Sequence, residues 1–485
     1  MNQQPGPDRH PHRALGRPLP VVAAVAAALL VVGGTVWAVA ARGGGGDVGD
    51  RTLAQSGEGL DPAVTPVDPA APVDPTAVNA NRAPGEDRLL WAARAPQPPS
   101  GMGADAPGMW ITGTTAVKAA YDELLAYGVA DGATAWGPIT FPRPICAVTP
   151  QQTSDDRIVV AYPGNSGDGT RCDRLQEVDL RTGARGWSAT VDRAVAPALG
   201  LTLSGRTLVV GRATSGTAYD VDTGRKLWEK AKYGAAACLP VAFAGAPGRL
   251  LAVSSCGAGT AAEHDEVQEL DPATGKAAWT RRIPNGWTVE RTYSVDPVVL
   301  YLTDQDERRW NISVLDDDGT PRSQVHVDDT FAPECGRTLM DRDLQGCQGV
   351  AADADTLYLP TGATSGAGPN SVVAVDLGTG EEKWRVPSPG AAPMLPLRTA
   401  DGGKRLIAYV EAAPGAGGRV VSLPTGGNGR RTITTLLRDP AGAAAAESGF
   451  ASETIAYADS RFYISTTRLT GDTSSGQNLM LAYGK

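Results

Sequence analysis

A chain of 485 residues with 42% hydrophobic residues can hold two or three average domains or one large repeat array, and it has enough apolar content for a real core. Its 59 Gly and 37 Pro suit a turn-rich all-β protein, and its net charge is −9, with no basic run in the body of the chain. A nucleic-acid surface needs clustered Lys and Arg to displace counterions from phosphates, so composition argues against that partner.

The chain opens with a short tail, residues 1–17, holding Arg9, Arg13 and Arg17. The uncharged stretch PLPVVAAVAAALLVVGGTVWAVAA that follows (18–41) is long enough, as a helix, to cross a bilayer. Asp47 and Asp50 lie beyond it. The positive-inside rule then places residues 1–17 in the cytoplasm and everything after the span outside, a single-pass protein of the cell membrane. Ala38-Val39-Ala40 also has the small-x-small pattern of a signal cleavage site, but the apolar run is long for a signal peptide and favours an uncleaved anchor. Residues 42–85, rich in Pro, Ala, Gly and Asp, show no apolar periodicity and read as a disordered, semi-extended linker. The globular part is expected over 86–485.

A phrase recurs through that part. It reads AYGVADGATAW (126–136), EVDLRTGARGW (177–187), AYDVDTGRKLW (218–228), ELDPATGKAAW (269–279) and AVDLGTGEEKW (374–384), always with Gly four residues before Trp. Two copies have lost the Trp: VLDDDGTPRS (314–323) has Ser323 in its place, and VSLPTGGNGR (421–430) has Arg430. Trp91, in GEDRLLW, supplies an eighth slot. A period of about fifty residues holding four short strands is one propeller blade. The chain ends LAYGK and residues 125–128 are LAYG, so the last strand carries the front half of a phrase whose back half is GEDRLLW. The expectation is an all-β, eight-bladed propeller closed by its C-terminal strand. Asp and Thr-Gly make the turn, and the Trp residues (Trp91, Trp136, Trp187, Trp228, Trp279, Trp384) fill the gaps between blades. The stretch VKAAYDELLAY (117–127) has good helix formers, yet its register with the repeat assigns it to strands.

Ala374, Asp376, Gly380, Glu382 and Trp384 match, position by position, the tryptophan-docking motif of propellers built from pyrroloquinoline-quinone-like (PQQ-like) repeats. The chain resembles that family over about residues 86–485. The resemblance implies kinship with quinoprotein alcohol dehydrogenases, with an outer-membrane assembly scaffold lipoprotein and with the outer sensor parts of some membrane kinases. Dehydrogenases of the family carry an adjacent Cys-Cys pair against the quinone, with acidic and Asn ligands for calcium. Neither can be carried onto this sequence, so no catalytic, cofactor-binding or metal residues are assigned and no cofactor is expected.

Six well-separated cysteines in an extracytoplasmic domain suggest three disulfides, and equivalent positions within repeats favour sequential pairing: Cys146–Cys172, Cys238–Cys256 and Cys335–Cys347. His264 and His326 fall in different blades, so zinc is not expected. GNSGDG (164–169) is superficially similar to a serine-protease nucleophile loop, but both usable His residues follow Ser166, and it reads as a Gly-rich turn. The acidic runs Asp316-Asp317-Asp318 and Asp328-Asp329 lack an EF-hand pattern and read as solvated turns. Loops TGATSGAGPN (361–370) and VEAAPGAGGRV (410–420) are long for hairpins and should project from a face, where binding usually resides. The functional expectation is a membrane-anchored extracytoplasmic binding or scaffold propeller that recognises a protein or envelope component through its face loops or its central channel. The alternatives are a degenerate PQQ-dependent oxidoreductase and a sensor partner of another membrane protein.

Overall fold

The computed structural model describes residues 72–99, 103–164, 171–191, 199–304, 306–336, 342–363, 368–427, 431–450, 452–471 and 476–485. The apolar run 18–41 therefore lies outside the described residues, among which no helix is long and apolar enough to cross a membrane.

Eight four-stranded antiparallel sheets follow one another along the chain. Blades 1 to 7 span residues 109–140, 147–190, 200–230, 239–282, 288–324, 351–387 and 394–438. Blade 8 takes Glu453–Ala458, Arg461–Thr466 and Asn478–Gly484 from the C-terminal end and Arg88–Arg94 from the N-terminal end. In that blade Trp91 pairs with Ala482, so the terminal LAYG joins the strand carrying the first Trp. VKAAYDELLAY forms the strands Thr115–Ala120 and Glu123–Gly128, where tertiary pairing overrides helix propensity.

The repeated phrase explains how blades join. The motif carboxylate accepts backbone N–H groups of its own turn, as Asp376 does from Gly378 and Thr379 at 2.8 and 3.0 Å. The motif Gly is required twice over. At Gly275 the backbone has φ +69°, and a Cβ there would lie 2.6 Å from Cδ2 of Trp228 in the preceding blade. The indole thus lies flat on the next blade's turn, and the relation recurs at Gly132 with Trp91, Gly183 with Trp136, Gly224 with Trp187 and Gly319 with Trp279. The indole N–H then donates to a carbonyl of that turn: Trp91 to Val129, Trp136 to Leu180, Trp187 to Val221, Trp228 to Pro272 and Trp384 to Thr425. Trp279 instead donates to Glu269 of its own blade.

The Trp-less seams solve the same problem differently. Ser323 donates to the Leu377 carbonyl at 2.8 Å, the acceptor an indole would use, and the backbone around Gln324 closes onto Gly380. Tyr293, Tyr301 and Trp310 stack in series at this seam, and Phe331 meets Trp310 edge-on. In blade 7 the expected slot is corrected. Arg430 lies outside the described residues, and the turn is longer than in other blades, so the residue paired with Val420 is Leu437, which is buried. Its side chain joins Tyr409, Phe462 and Tyr483 in the seam with blade 8. The neighbouring Arg431 lays its guanidinium 4.4 Å over the Trp384 ring.

A second correction concerns the linker, whose expected extent to residue 85 is too long. Pro75–Ala80 is a short helix capped by Asp74, and its Val78 is buried among Leu89, Leu437 and Ala443. Asn79 exchanges two hydrogen bonds with Leu89, and Glu86 accepts from Ala83 and Ala441. Residues from Pro72 onward are held because these few side chains find apolar and polar partners on blades 7 and 8 and on the crossover between them, which composition alone does not reveal.

Candidate functional site

Each blade's first and third hairpin connections lie on the face that carries the motif turns. The middle connections and the crossovers between blades lie on the opposite face. The longest crossover joins blades 5 and 6. There Glu334–Cys335 pairs with Cys347–Gln348 and a disulfide links Cys335 to Cys347. Leu344 is buried against blades 4 and 5, Gln345 donates to Gly245, and Thr292 donates to the Leu344 carbonyl. Across the ring, Gln348 exchanges hydrogen bonds with Glu453 and Ile455 on the innermost strand of blade 8. Blades 4 and 8 are opposite in an eight-membered ring, so this hairpin crosses the central channel.

Of the other two disulfides, Cys238–Cys256 links neighbouring strands of blade 4, whereas Cys146–Cys172 reaches past the strand Arg157–Pro163 within blade 2, and no described cysteine is free. Cys238, Cys256 and Glu266 lie close enough to share an ion, but both sulfurs are committed to the disulfide. His264 is buried, with Nδ1 2.7 Å from the Ala262 carbonyl, and His326 lies in the crossover after blade 5, its backbone N–H donating to Gly380 of blade 6. Ser166 lies outside the described residues. Asp317 and Asp329 pair with Arg249 and Arg385, and Asp318 caps its own turn through Thr320. These acidic runs act as turns and inter-strand ties.

A cavity of about 330 Å3 opens on the crossover side of blade 7. The loop 410–420 supplies one wall, with Val410, Glu411, Ala413, Pro414, Gly415, Ala416, Gly417 and Arg419, and Gly390, Ala391 and Ala392 supply another. Glu86, Arg438 and Ala441 complete the lining. Ala413 and Ala416 bond reciprocally, at 2.9 and 2.8 Å, and hold the Pro-Gly tip as a tight hairpin. In the other projecting loop, Asn370 is buried and bonds to Thr361 and Met394, so that it fastens blade 6 to blade 7.

Several carboxyls near this sector hold their protons unusually tightly. Burial, together with the charges of Glu411 and Glu334, pushes Glu453 up to about 9, and burial with Glu334 pushes Glu411 up to about 7. Beneath the cavity, fully buried Asp439 and Glu447 are both raised, chiefly by burial, and Glu447 accepts from Tyr409 and Gly418. A carboxyl raised in the folded state binds more protons there than in the unfolded chain. Stability from these groups is therefore fully present below about pH 4 and is lost as pH rises towards about 9. Lys118 works the other way. It is fully buried, its Nζ donates to the Ala106 carbonyl at 2.5 Å, and burial lowers it to about 7, so its contribution rises with pH between 7 and 10.5. Glu453→Gln isolates one term. It is expected to raise the melting temperature at pH 8.5, to leave it nearly unchanged at pH 4, and so to flatten the wild-type decline. Thermal unfolding across pH 4–9 checks this, and an unchanged slope would refute it.

The family model described as outer membrane protein assembly factor BamB, a PQQ-repeat model, matches residues 76–237. Over those residues the chain is similar to that model. Among solved structures, BamB from Moraxella catarrhalis is 16% identical, with 82% of this chain and 97% of that one covered and a TM-score of 0.41. The quinohemoprotein alcohol dehydrogenase ADHIIG from Pseudomonas putida HK5 is 12% identical, with 82% and 76% covered and a TM-score of 0.45. A europium-containing methanol dehydrogenase is 11% identical, with 86% and 98% covered and a TM-score of 0.42. No curated protein matches the sequence.

The quinone that some PQQ-repeat proteins use does not fit the described residues. The six cysteines form three separate disulfides, so there is no adjacent pair to lie against a planar ring, and the Cys335–Cys347 hairpin takes up the channel. No chemical step is assigned to such a group.

Proposed function

We propose that this chain is a binding or scaffold propeller, tethered through residues 18–41 to the cell membrane with its blades on the outer side, that recognises a protein or envelope component. The observation that carries the reading is the hairpin across the channel. It leaves recognition to the loops of the crossover face, where the cavity of blade 7 also opens. Three disulfides support an oxidising, extracytoplasmic setting.

The test uses the full-length protein in detergent. Added pyrroloquinoline quinone and calcium are expected to give no thermal shift and no dye-linked alcohol oxidation. Cross-linking in envelope membranes is expected to join the propeller to a defined partner. Quinone-dependent turnover would replace this reading with the oxidoreductase, and an absence of cross-links from the crossover face would remove the scaffold.

A further inference from the structure

The cavity of blade 7 contains an arrangement that the fold itself does not explain. Val410, Arg419 and Arg438 are register partners across three adjacent strands, so the two arginines leave one face of the sheet side by side. Like charges directly opposite each other across a strand pair destabilise the sheet. By contrast, Arg249 meets Glu269, Asp296 and Asp317, and Arg157 meets Asp155 and Glu177. Neither Arg419 nor Arg438 forms an ion pair with a described residue. Glu86, on the same wall, already accepts two backbone N–H groups.

A Cβ on Gly390 would lie 2.7 Å from Nη2 of Arg419, so the guanidinium packs against this glycine at the cavity wall. The remaining lining is small and largely apolar, and the volume of about 330 Å3 falls within the range of small-molecule pockets, roughly 300–1,000 Å3.

We infer that this cavity captures the free C-terminal carboxylate of a peptide ending in small residues, with Arg419 and Arg438 as the paired donors. Guanidinium forks match a planar carboxylate through two parallel hydrogen bonds. Glu86 and Asp87 stand against the two arginines, so it is the planar geometry of the guanidinium forks, rather than net charge, that favours a carboxylate over phosphate. The Ala and Gly walls suit small side chains and exclude large ones. The inference rests on the binding-module reading and names the chemistry of its ligand.

The test titrates full-length protein in detergent with N-acetyl-trialanine, its C-terminal amide and inorganic phosphate, read by calorimetry. The free acid is expected to bind at least about tenfold more tightly than the amide, because the amide forfeits the charge-assisted bonds. Arg419→Ala and Gly390→Val are each expected to lose about tenfold or more, with Arg419→Lys losing less and Arg225→Ala, remote in blade 3, losing nothing. Unchanged melting of Arg419→Lys guards against misfolding as the cause. Phosphate binding as tightly as the free acid, equal affinity for acid and amide, or retention of binding in both Arg419→Ala and Gly390→Val would overturn the proposal. Failed titration with intact cross-linking would remove only this ligand class, whereas intact titration without cross-links would remove the scaffold reading.

Discussion

Deleting residues 478–485 is expected to leave no cooperatively folded propeller. The strand Asn478–Gly484 is buried along its whole length and pairs on one side with Arg461–Thr466 and on the other with Arg88–Arg94. Without it, the N-terminal strand has no sheet to join, and the innermost strands of blade 8 keep only each other. Leu479, Met480, Leu481 and Tyr483 are all fully buried. Losing each such side chain costs roughly 2–5 kcal/mol, and four of them match or exceed the 5–15 kcal/mol by which a typical domain is stable. The loss also opens the ring and exposes strand edges that a closed propeller hides. Circular dichroism melts and gel filtration check the result: the truncated chain should show no sharp transition and should aggregate, while removal of Lys485 alone should change nothing. A truncated protein that melted like the full chain would show that the ring closes elsewhere.

The second large effect concerns the indole seams. Trp228→Ala is expected to destabilise the propeller by about 3–5 kcal/mol, since the ring fills the gap to blade 4 and its N–H satisfies the Pro272 carbonyl. Gly275→Ala, in the next blade, attacks the same contact from the other side. Its methyl would meet the indole at 2.6 Å with the backbone at φ +69°, and overpacking of this kind costs about 1–3 kcal/mol before backbone strain is added. The double variant should cost less than the sum of the two, because the methyl then enters space the indole has left. Urea denaturation of the two single variants and the double variant measures this. Strict additivity would mean that the two residues do not share a seam.

The carboxyl-rich sector near blades 7 and 8 links stability to pH. Glu453 sits on the innermost strand of blade 8, and its backbone carbonyl accepts from Gln348 of the channel hairpin. A side chain that favours its neutral form there makes the closure sector firmest under acidic conditions.

How far each feature could be read from sequence depends on whether its parts are local. The turn chemistry of Asp376, Thr379 and Gly380 lies within five residues and could be read directly, as could the strand alternation before it and the matching halves of the phrase at the two chain ends. That was enough to determine the number of blades and the closure. The motif Gly was legible as a positive-φ position, but its second role, making room for the preceding blade's indole, joins residues some forty positions apart and became visible only with both blades in place. In the corrected slot, the expectation at Arg430 assumed a turn of ordinary length, whereas register assigns the position to Leu437, because hydrogen-bond pairing and not residue count decides which side chain faces the seam. The loop 410–420 was marked as a place for binding, yet nothing in its sequence tied Arg419 to Arg438 or to Gly390. By itself the sequence determined the repeated local phrase and therefore the ring. Only the tertiary structure decided that a crossover hairpin spans the channel and that two arginines with no ion-pair partner among the described residues share one cavity, because charge, burial and empty space are properties of neighbours that chain order does not record.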